Sequence, residues 1–319
     1  MIQVQNVQQQ PSQDVREQLY SQLEDYLGLS STKKKMDSSE KSGGTTLKRK
    51  SSEQSSSSSS SKALSKNTLA IKVNGKTVKG SAQNIVGRVV EAEMGASFSQ
   101  EALKAQAVAA YTYIRYNNQK GTIPSLPAKS SVSAKVEDAV EQVIGEALYY
   151  QGEYINATYC ASNAGNSVDS ENVWGGYLPY LRSVESPGDT TLKAYGAVKR
   201  FSEEEIAQYI EDNLDVDPYD YSDPDEWFED EEYINGRYVD SIRVCGRRLS
   251  GREVREELME FALPSAAFEV EYDDGEFIFT TYGYGHGVGM SQQGADYFAQ
   301  RGWDYEEILT HYYTGVTLK

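Results

Sequence analysis

The stretch that decides the fold lies at residues 85–110 and reads IVGRVVEAEMGASFSQEALKAQAVAA. Val86, Val89 and Val90 recur at the spacing of one helix face, and Glu93 follows Val86 by seven residues. Because seven residues make about two helical turns, Glu93 is expected on the same inward face as the valines. The pattern predicts a helix that carries a carboxyl group on its buried side.

This carboxyl group, on Glu93, has two interpretations. A carboxyl beside an apolar stripe is expected to have a raised pKa, which suits a general acid near neutral pH. The structural alternative is a carboxylate at a helix end that pairs with an arginine such as Arg88, since ion pairs also place carboxylates inward. The neighbouring Glu91 is expected to point to water.

A second helix is predicted directly after the first. Residues 97–100, SFSQ, match a capping box, and the alanine-rich run that follows favours a helix through Arg115. The expected core face consists of residues three and four positions apart, Leu103, Ala107, Ala110 and Ile114. A neighbouring stripe with polar tips is either solvated or lines a groove beside Glu93, and it consists of Lys104, Val108, Tyr111 and Arg115.

Strands and helices alternate along the rest of the chain. Asn-Gly at 74–75, Gln-Gly at 151–152 and Asp-Gly at 274–275 each separate two alternating segments, a pattern typical of β-hairpins. Capping boxes at Ser202 and Ser250 each predict the start of an amphipathic helix. Because there is no regular βαβ rhythm, the predicted fold class is α+β.

The first 67 residues differ in composition from the remainder. Seven consecutive serines at 55–61 follow a Lys/Ser-rich stretch, and such a segment has too few apolar residues to offset the entropy of ordering. We predict a disordered tail or linker over 1–67, with a possible short amphipathic helix over 14–27, and a folded domain over 68–319. Neither a signal peptide nor an apolar run long enough to span a bilayer is visible.

The charge is concentrated in one segment. The chain has 31 Lys and Arg against 48 Asp and Glu, a formal charge of −17. Residues 203–232 hold 15 of the acidic residues and no basic one, so the rest of the chain carries only −2. No basic face for binding nucleic acid is evident. We predict that residues 213–237 form a solvated acidic insertion, with a partner or calcium surface as the alternative.

The chain has only two cysteines and two histidines, Cys160, Cys245, His286 and His311. A closed structural zinc site of the usual type would need all four. The cysteines could form one bridge, half of a metal site, or neither. We expect no metal and no cofactor.

A glycine ladder lies near the C-terminus, where residues 282–295 read YGYGHGVGMSQQGA. Its four alternating glycines are expected to leave one face of a strand without side chains, so that a backbone or a ligand can approach closely. The pattern lacks the spacing and context of a dinucleotide-binding fingerprint. Ser291 is a candidate N-cap for a helix to Arg301, which would place His286 beside the first amide groups of that helix.

Three of these segments together closely resemble the stage II sporulation protein D (SpoIID/LytB) family. They are residues 89–94 (VVEAEM), 101–110 (EALKAQAVAA) and 285–295 (GHGVGMSQQGA). Four shorter segments also match, at 159–165 (YCASNAG), 174–181 (WGGYLPYL), 249–255 (LSGREVR) and 308–313 (ILTHYY). The resemblance extends over about residues 69–318.

The resemblance implies activity on bacterial peptidoglycan. Members of this family are lytic transglycosylases that act on glycan strands from which a partner amidase has removed the stem peptides, and other members are described as amidase enhancers. The proposed general acid of the family maps onto Glu93. In such a reaction the C6 hydroxyl of the substrate attacks the anomeric carbon to give a 1,6-anhydro product, so the second carboxylate of ordinary glycosidases is not needed.

The resemblance also implies a glycan-binding cleft, an extracytoplasmic location in the cell envelope, and an export or anchor segment missing from this sequence. The candidates for holding the sugar are Lys104, Tyr111, Ser162, Asn163, His286, Ser291 and Gln292. The alternative function is a non-catalytic glycan-binding enhancer of an N-acetylmuramoyl-L-alanine amidase.

The chain departs from the family pattern at three points. Gly95 stands where the family usually has proline, and Tyr111 stands where it usually has an arginine that lines the cleft. Some relatives place a zinc ion with Cys and His near the position of Cys160, whereas Asn163 and Asn166 occupy the polar positions here. The loss of the arginine is expected to weaken catalysis or to change the substrate, and the missing histidine supports the expectation of no metal.

Overall fold

The computed structural model describes residues 67–319. The predicted tail and its possible helix over 14–27 lie outside the described residues. The helices are α1 Ala82–Glu93, α2 Gln100–Gln119, α3 Ala134–Val143, α4 Ser170–Trp174, α5 Glu203–Leu214, α6 Pro218–Tyr221, α7 Gly251–Glu253, α8 Gln292–Ala299 and α9 Tyr305–Tyr312, with short 3₁₀ turns at Pro187–Thr191 and Pro224–Glu226 and a π turn at Val254–Leu258.

The strands are β1 Thr68–Val73, β2 Lys76–Ser81, β3 Leu148–Tyr150, β4 Glu153–Tyr154, β5 Tyr159–Cys160, β6 Ala197–Ser202, β7 Phe228–Ile234, β8 Tyr238–Val244, β9 Arg247–Leu249, β10 Phe268–Asp273, β11 Glu276–Thr281, β12 Met290–Ser291 and β13 Thr317–Leu318. They form small sheets with the orders β1-β2, β10-β11-β6, β12-β5, β13-β3-β4 and β7-β8-β9. Among the strands of residues 67–319, only β12 and β5 pair in parallel. This mixture of helices and mostly antiparallel strands confirms the α+β prediction.

The first hydrophobic core is built around α2, against which α1, α3, α8 and α9 pack. Val86, Val89 and Val90 are fully buried on α1, as their spacing predicts. Ser81 caps this helix, because its Oγ accepts from the Asn84 amide. Among the described residues, no helix is both long and apolar enough to cross a membrane.

The start of α2 differs from the prediction. The N-cap is Ser99 and the helix begins at Gln100, so the capping box predicted at Ser97 does not form. The backbone amide of Ser99 instead donates to Asp296 Oδ1 at 2.6 Å. A long-range acceptor on α8 therefore replaces the local cap.

Both predicted stripes of α2 are found inside the protein. The four residues of the core face are buried, as expected. In the neighbouring stripe Val108, Tyr111 and Arg115 are also buried, and only Lys104 reaches the surface. The solvated alternative for this stripe is wrong, because neighbouring elements surround α2 on several sides.

All three predicted hairpins form, and both residues of each turn have positive φ, as two-residue hairpin turns require. The second hairpin is shorter than its sequence pattern indicates, since β4 ends at Tyr154. Tyr159 and Cys160 pair instead with Met290 and Ser291 in the parallel β5–β12 pair. Because of this pairing, Tyr159 and Cys160 lie next to the glycine-rich segment 282–295.

A second hydrophobic core lies between the sheets β10-β11-β6 and β7-β8-β9 and helix α5. Capping boxes at Ser202 and Ser250 form as predicted. The first opens the full helix α5. The second opens only the single turn α7, which continues as the π turn.

The acidic segment is not wholly solvated, so the prediction for residues 213–237 is wrong for part of it. Trp227 is fully buried and Phe228 is nearly so, and β7 pairs with β8 inside a sheet. Tyr219 and Tyr221 remain exposed. The charge obscured this arrangement, because the acidic side chains of β7 lie at partly or fully exposed positions while the aromatic residues before them enter the core.

Candidate active site

Glu93 is the last residue of α1 and is partly buried. The backbone amides of Met94 and Gly95 both donate to the Val90 carbonyl, and Gly95 has a φ of +71°. Proline cannot adopt this φ, so the helix end that carries Glu93 requires a residue such as glycine here. The carboxylate thus lies at the negative end of the dipole of α1, which disfavours an additional negative charge.

Gln292 contacts Glu93 through a side-chain hydrogen bond. Its Nε2 donates to Glu93 Oε2 at 3.3 Å across 199 residues of sequence. Gln292 is the first residue of α8 and is almost fully buried. The glycine-rich segment and the end of α1, predicted separately, therefore meet.

Glu91 does not point to water, so that prediction is wrong. Its Oε2 accepts from both the backbone amide and the hydroxyl of Ser133, the residue before α3. Arg88, the alternative partner considered for Glu93, donates through Nε to the Lys129 carbonyl. Glu91 and Arg88 thus fix the segment that leads into α3.

Ser291 holds the start of α8 in place. Its Oγ accepts from the Gly294 amide at 2.8 Å, which confirms the predicted N-cap, and donates to Asp189 Oδ1 at 2.7 Å. The helix ends at Ala299 rather than Arg301. Because Ser291 is fully buried, its visible contribution is to position the adjacent Gln292.

Asp189 is the site residue that the sequence did not reveal. It is 1% exposed, and its Oδ2 accepts from the Ser186 hydroxyl at 2.6 Å and from the Asn163 amide at 3.0 Å. Burial raises the pKa of this carboxyl to about 7, against the opposing effect of its three hydrogen bonds. The local sequence Ser-Pro-Gly-Asp is typical of a turn and gives no sign of burial.

Ser162 and Asn163 are also buried. The Cys160 thiol donates to Asn163 Oδ1 at 3.0 Å, while Asn163 Nδ2 has no hydrogen-bond partner within residues 67–319. Ser162 forms a backbone bridge with Tyr284. Both residues therefore support the glycine-rich segment, and a direct role in holding sugar stays a prediction.

The cysteines are free and buried, so the disulfide alternative is wrong. Burial raises the pKa of the Cys160 thiol, which keeps it protonated. In the described part of the chain no three His, Cys, Asp or Glu side chains are grouped to hold a metal. The residues near Cys160 do not fit the zinc site of some relatives.

The glycine ladder is a loop and not a strand, because all four glycines have positive φ. The predicted close approach is nevertheless present. A Cβ at Gly287 would overlap the Tyr238 hydroxyl, and one at Gly289 would overlap the Thr158 carbonyl. Glycine is required here by conformation and by space together.

His286 projects from this loop onto Trp174, with a distance of 5.2 Å between the ring centroids. Its Nδ1 accepts from the Val288 amide at 3.0 Å, so a neutral ring carries its proton on Nε2. His286 is partly exposed, and Nε2 is the atom with a proton to donate.

Lys104 and Tyr111 have protein partners of their own. Lys104 Nζ lies 2.7 Å from Glu101 Oε1 and 5.7 Å from the centre of the Tyr305 ring. Tyr111 is buried, and burial raises its pKa. The Arg115 guanidinium lies 5.6 Å from the Tyr111 ring centre, so this neighbourhood keeps an arginine one helical turn later.

Comparison with known proteins agrees with the local motifs. The SpoIID family model, described as stage II sporulation protein, matches residues 76–150. Stage II sporulation protein D of Bacillus amyloliquefaciens is 33% identical over 256 residues, covering 72% of this chain and 72% of that protein. Stage II sporulation protein D of Bacillus subtilis (strain 168) is 32% identical over 278 residues, covering 76% and 77%.

A more distant relative carries a different name. The amidase enhancer of Bacillus subtilis (strain 168) is 28% identical over 295 residues, covering 72% of this chain but 39% of that protein. The two sporulation proteins match most of their own length, and the family model covers the segment that holds Glu93. The chain therefore belongs to the stage II sporulation protein D family.

Proposed function

We propose that this protein is a peptidoglycan lytic transglycosylase in which Glu93 acts as general acid and then as general base. The observation that carries the proposal is the contact between Glu93 Oε2 and Gln292 Nε2. This contact joins two of the segments that carry the family resemblance, residues 89–94 and 285–295, at one carboxyl group, and the amide restricts the direction in which that group points. The preferred substrate is a glycan strand without stem peptides.

The chemistry needs only one protein carboxyl group. Protonated Glu93 gives its proton to the bridging oxygen as the bond from that oxygen to the anomeric carbon breaks. The C6 hydroxyl of the same sugar forms the new bond to the anomeric carbon and passes its proton to the Glu93 carboxylate. The products are a free 4-hydroxyl end and a 1,6-anhydro-muramoyl end, and Glu93 is protonated again.

The surroundings of Glu93 support this cycle. The end of α1 disfavours a permanent negative charge, and the side chain is only partly buried, so a substrate can reach it. The Gln292 amide donates to the carboxylate form that exists midway through the cycle. The remaining candidates, Lys104, Tyr111, Ser162, Asn163, His286 and Ser291, are proposed to bind sugar or to hold the residues that do so.

Mass spectrometry of denuded glycan after incubation with the protein tests the proposal. Wild type is expected to produce 1,6-anhydro-muramoyl ends, and Glu93→Gln is expected to produce none, because an amide cannot donate the proton. Glu141→Gln is the matched control, since Glu141 lies exposed on α3. Absence of anhydro ends from wild type in the presence of an active amidase would sink the proposal.

A second function is favoured by two observations. Tyr111 stands at the family arginine position, and one relative is named amidase enhancer. On this alternative the chain binds glycan and stimulates a cell-wall amidase without cutting the strand. Stimulation would then survive Glu93→Gln, whereas stimulation that depends on cleavage would be lost with the anhydro products.

The proposed substrate also implies a location. Peptidoglycan lies outside the cytoplasmic membrane, so we expect the described domain to work in the cell envelope. Protease treatment of intact protoplasts should degrade the domain while a cytosolic marker survives. Protection of the domain together with the marker would contradict this location.

A further inference from the structure

A polar cavity lies apart from Glu93. Its volume is about 500 Å³, and none of the eight residues predicted for the active site lines it. Its principal walls are Gly165, Glu185, Tyr195, Tyr233, Arg237 and Glu269. The volume falls in the range of small-ligand sites, about 300–1,000 Å³.

Arg237 is the centre of this cavity and is held from three sides. Its Nε donates to the Tyr195 hydroxyl at 3.0 Å, and its Nη1 donates to Glu269 Oε1 at 2.7 Å. The guanidinium carbon lies 4.1 Å from the Tyr282 ring centre, and the Tyr282 hydroxyl donates to the other oxygen of Glu269. The polar groups are therefore fixed before any ligand binds, which reduces the entropy cost of binding.

Tyr233 supplies the apolar surface. The residue is 45% exposed, so part of its ring is available to a ligand. Burial on its other side, with the carboxylates of Glu231 and Glu269, raises its pKa to about 12, so the hydroxyl keeps its proton and can donate. An aromatic surface next to fixed donors and acceptors is the combination that binds the apolar face and the hydroxyls of a sugar ring.

The charge of the cavity selects among sugars. Two carboxylates, Glu185 and Glu269, face one guanidinium, so the lining has a net charge of −1 and disfavours anions. In a glycan strand without stem peptides, the muramic acid ring carries a free lactyl carboxylate. The N-acetylglucosamine ring is uncharged and offers one amide donor and one amide acceptor.

The cavity is joined to the candidate active site through the backbone. Ala164 and Gly165 follow Asn163, and Thr190 follows Asp189, and all three line the cavity. The Asn163 amide bonds to Asp189, which in turn holds Ser291 beside Gln292. The residues that line the cavity are thus adjacent in sequence to the hydrogen-bonded residues Asn163 and Asp189, which hold Ser291 beside Gln292.

We propose that this cavity is a second sugar subsite, specific for an uncharged N-acetylglucosamine ring of the strand. The identity of the sugar rests on the proposed function, while the existence of the subsite rests on the cavity alone. Occupation of the subsite would anchor a strand whose scissile bond lies at Glu93.

Binding of N,N′,N″-triacetylchitotriose, measured by isothermal titration calorimetry, tests the subsite. Wild type is expected to bind this uncharged trisaccharide, because Tyr233 and the fixed groups around Arg237 line the cavity. Tyr233→Ala should weaken binding on the order of fivefold to tenfold through loss of the aromatic contact. Tyr221→Ala is the control, since Tyr221 is equally exposed on α6 outside the cavity, and it should bind as wild type does.

The outcomes separate the subsite from the proposed function. Unchanged binding by a folded Tyr233→Ala, or no binding by wild type, would overturn the subsite even if the glycan digest gives anhydro ends. Weakened binding by Tyr233→Ala with no anhydro ends would keep the subsite and refute the cleavage. Tighter binding of free N-acetylmuramic acid than of N-acetylglucosamine would refute the charge argument.

Discussion

The buried carboxyl group of Asp189 makes the stability of the fold depend on pH in an unusual direction. Its pKa is about 7 in the folded protein, against 3.8 for an ordinary aspartate, because burial disfavours the charged form. Between these pH values the folded state therefore binds more protons than the unfolded state. The stabilising contribution is complete below the lower value and is lost as the pH rises through about 7.

The magnitude follows from the shift. A difference of about 3 pH units at about 1.4 kcal/mol each corresponds to about 4 kcal/mol of unfolding free energy. Asp189→Asn removes the titration while keeping a side chain of the same shape. The amide oxygen can accept from Ser186 and the Asn163 amide, and the amide nitrogen can donate to the Ser291 hydroxyl, which then reverses its direction.

Urea unfolding of wild type and Asp189→Asn, followed from about pH 4 to about pH 8, measures the effect. The wild type should lose about 4 kcal/mol relative to the variant across this range. Asp240→Asn, at an exposed position on β8, controls for the loss of any carboxylate and should run parallel to wild type. Parallel curves for Asp189→Asn and wild type would refute the assignment of a raised pKa to Asp189.

Four further substitutions test other parts of the structure. Gln292→Ala removes the amide that contacts the candidate acid, so the rate of anhydro-product formation should fall roughly tenfold to a hundredfold while the fold persists. Gly287→Ala should destabilise by more than about 2 kcal/mol in thermal unfolding, because its Cβ would overlap Tyr238 and its φ is positive. Gly302→Ala, with positive φ but open space around it, should cost about 1 kcal/mol. Trp227→Ala should cost about 3–5 kcal/mol because the indole is fully buried.

For each of these predictions, one outcome would contradict the reasoning. An unchanged rate for Gln292→Ala would show that the amide does not orient the candidate acid. Equal costs for the two glycine substitutions would mean that strain alone, and not close approach, requires glycine at position 287. A cost within about 0.5 kcal/mol for Trp227→Ala would restore the solvated acidic insertion.

Local patterns predicted the local structure well. The valine spacing placed α1 and its buried face, and dipeptides that favour positive φ located the three predicted hairpins, although the hairpins β7–β8 and β8–β9 were missed. The capping boxes at Ser202 and Ser250 form as their sequences indicate. These features succeed because each is decided by residues within a turn or two of one another.

The site itself was only partly predictable. Glu93, Ser291 and Gln292 could be chosen from motifs, but the bond between Glu93 and Gln292 depends on how α1 and α8 pack. Asp189 could not be found, because nothing near it in sequence signals burial and two of its three donors, the Asn163 amide and the Ser291 hydroxyl, come from distant segments. Its importance arises only from tertiary packing.

Two predictions failed because the local sequence pattern suggested a conformation that the folded chain does not adopt. The charge of residues 203–232 suggested a solvated segment, yet Trp227 and Phe228 within it enter the core. The alternating glycines suggested a strand, yet their positive φ values form a loop. In both cases tertiary contacts, which no local pattern contains, decided the conformation.

We propose that Glu93 cleaves glycan with help from the substrate's own hydroxyl. The most direct test is a digest of denuded glycan strands by wild type, Glu93→Gln and Glu141→Gln, with the products identified by mass spectrometry. We predict 1,6-anhydro-muramoyl ends from wild type and Glu141→Gln and none from Glu93→Gln. Anhydro ends produced equally by Glu93→Gln, or reducing muramic acid ends in place of anhydro ends, would contradict the claim.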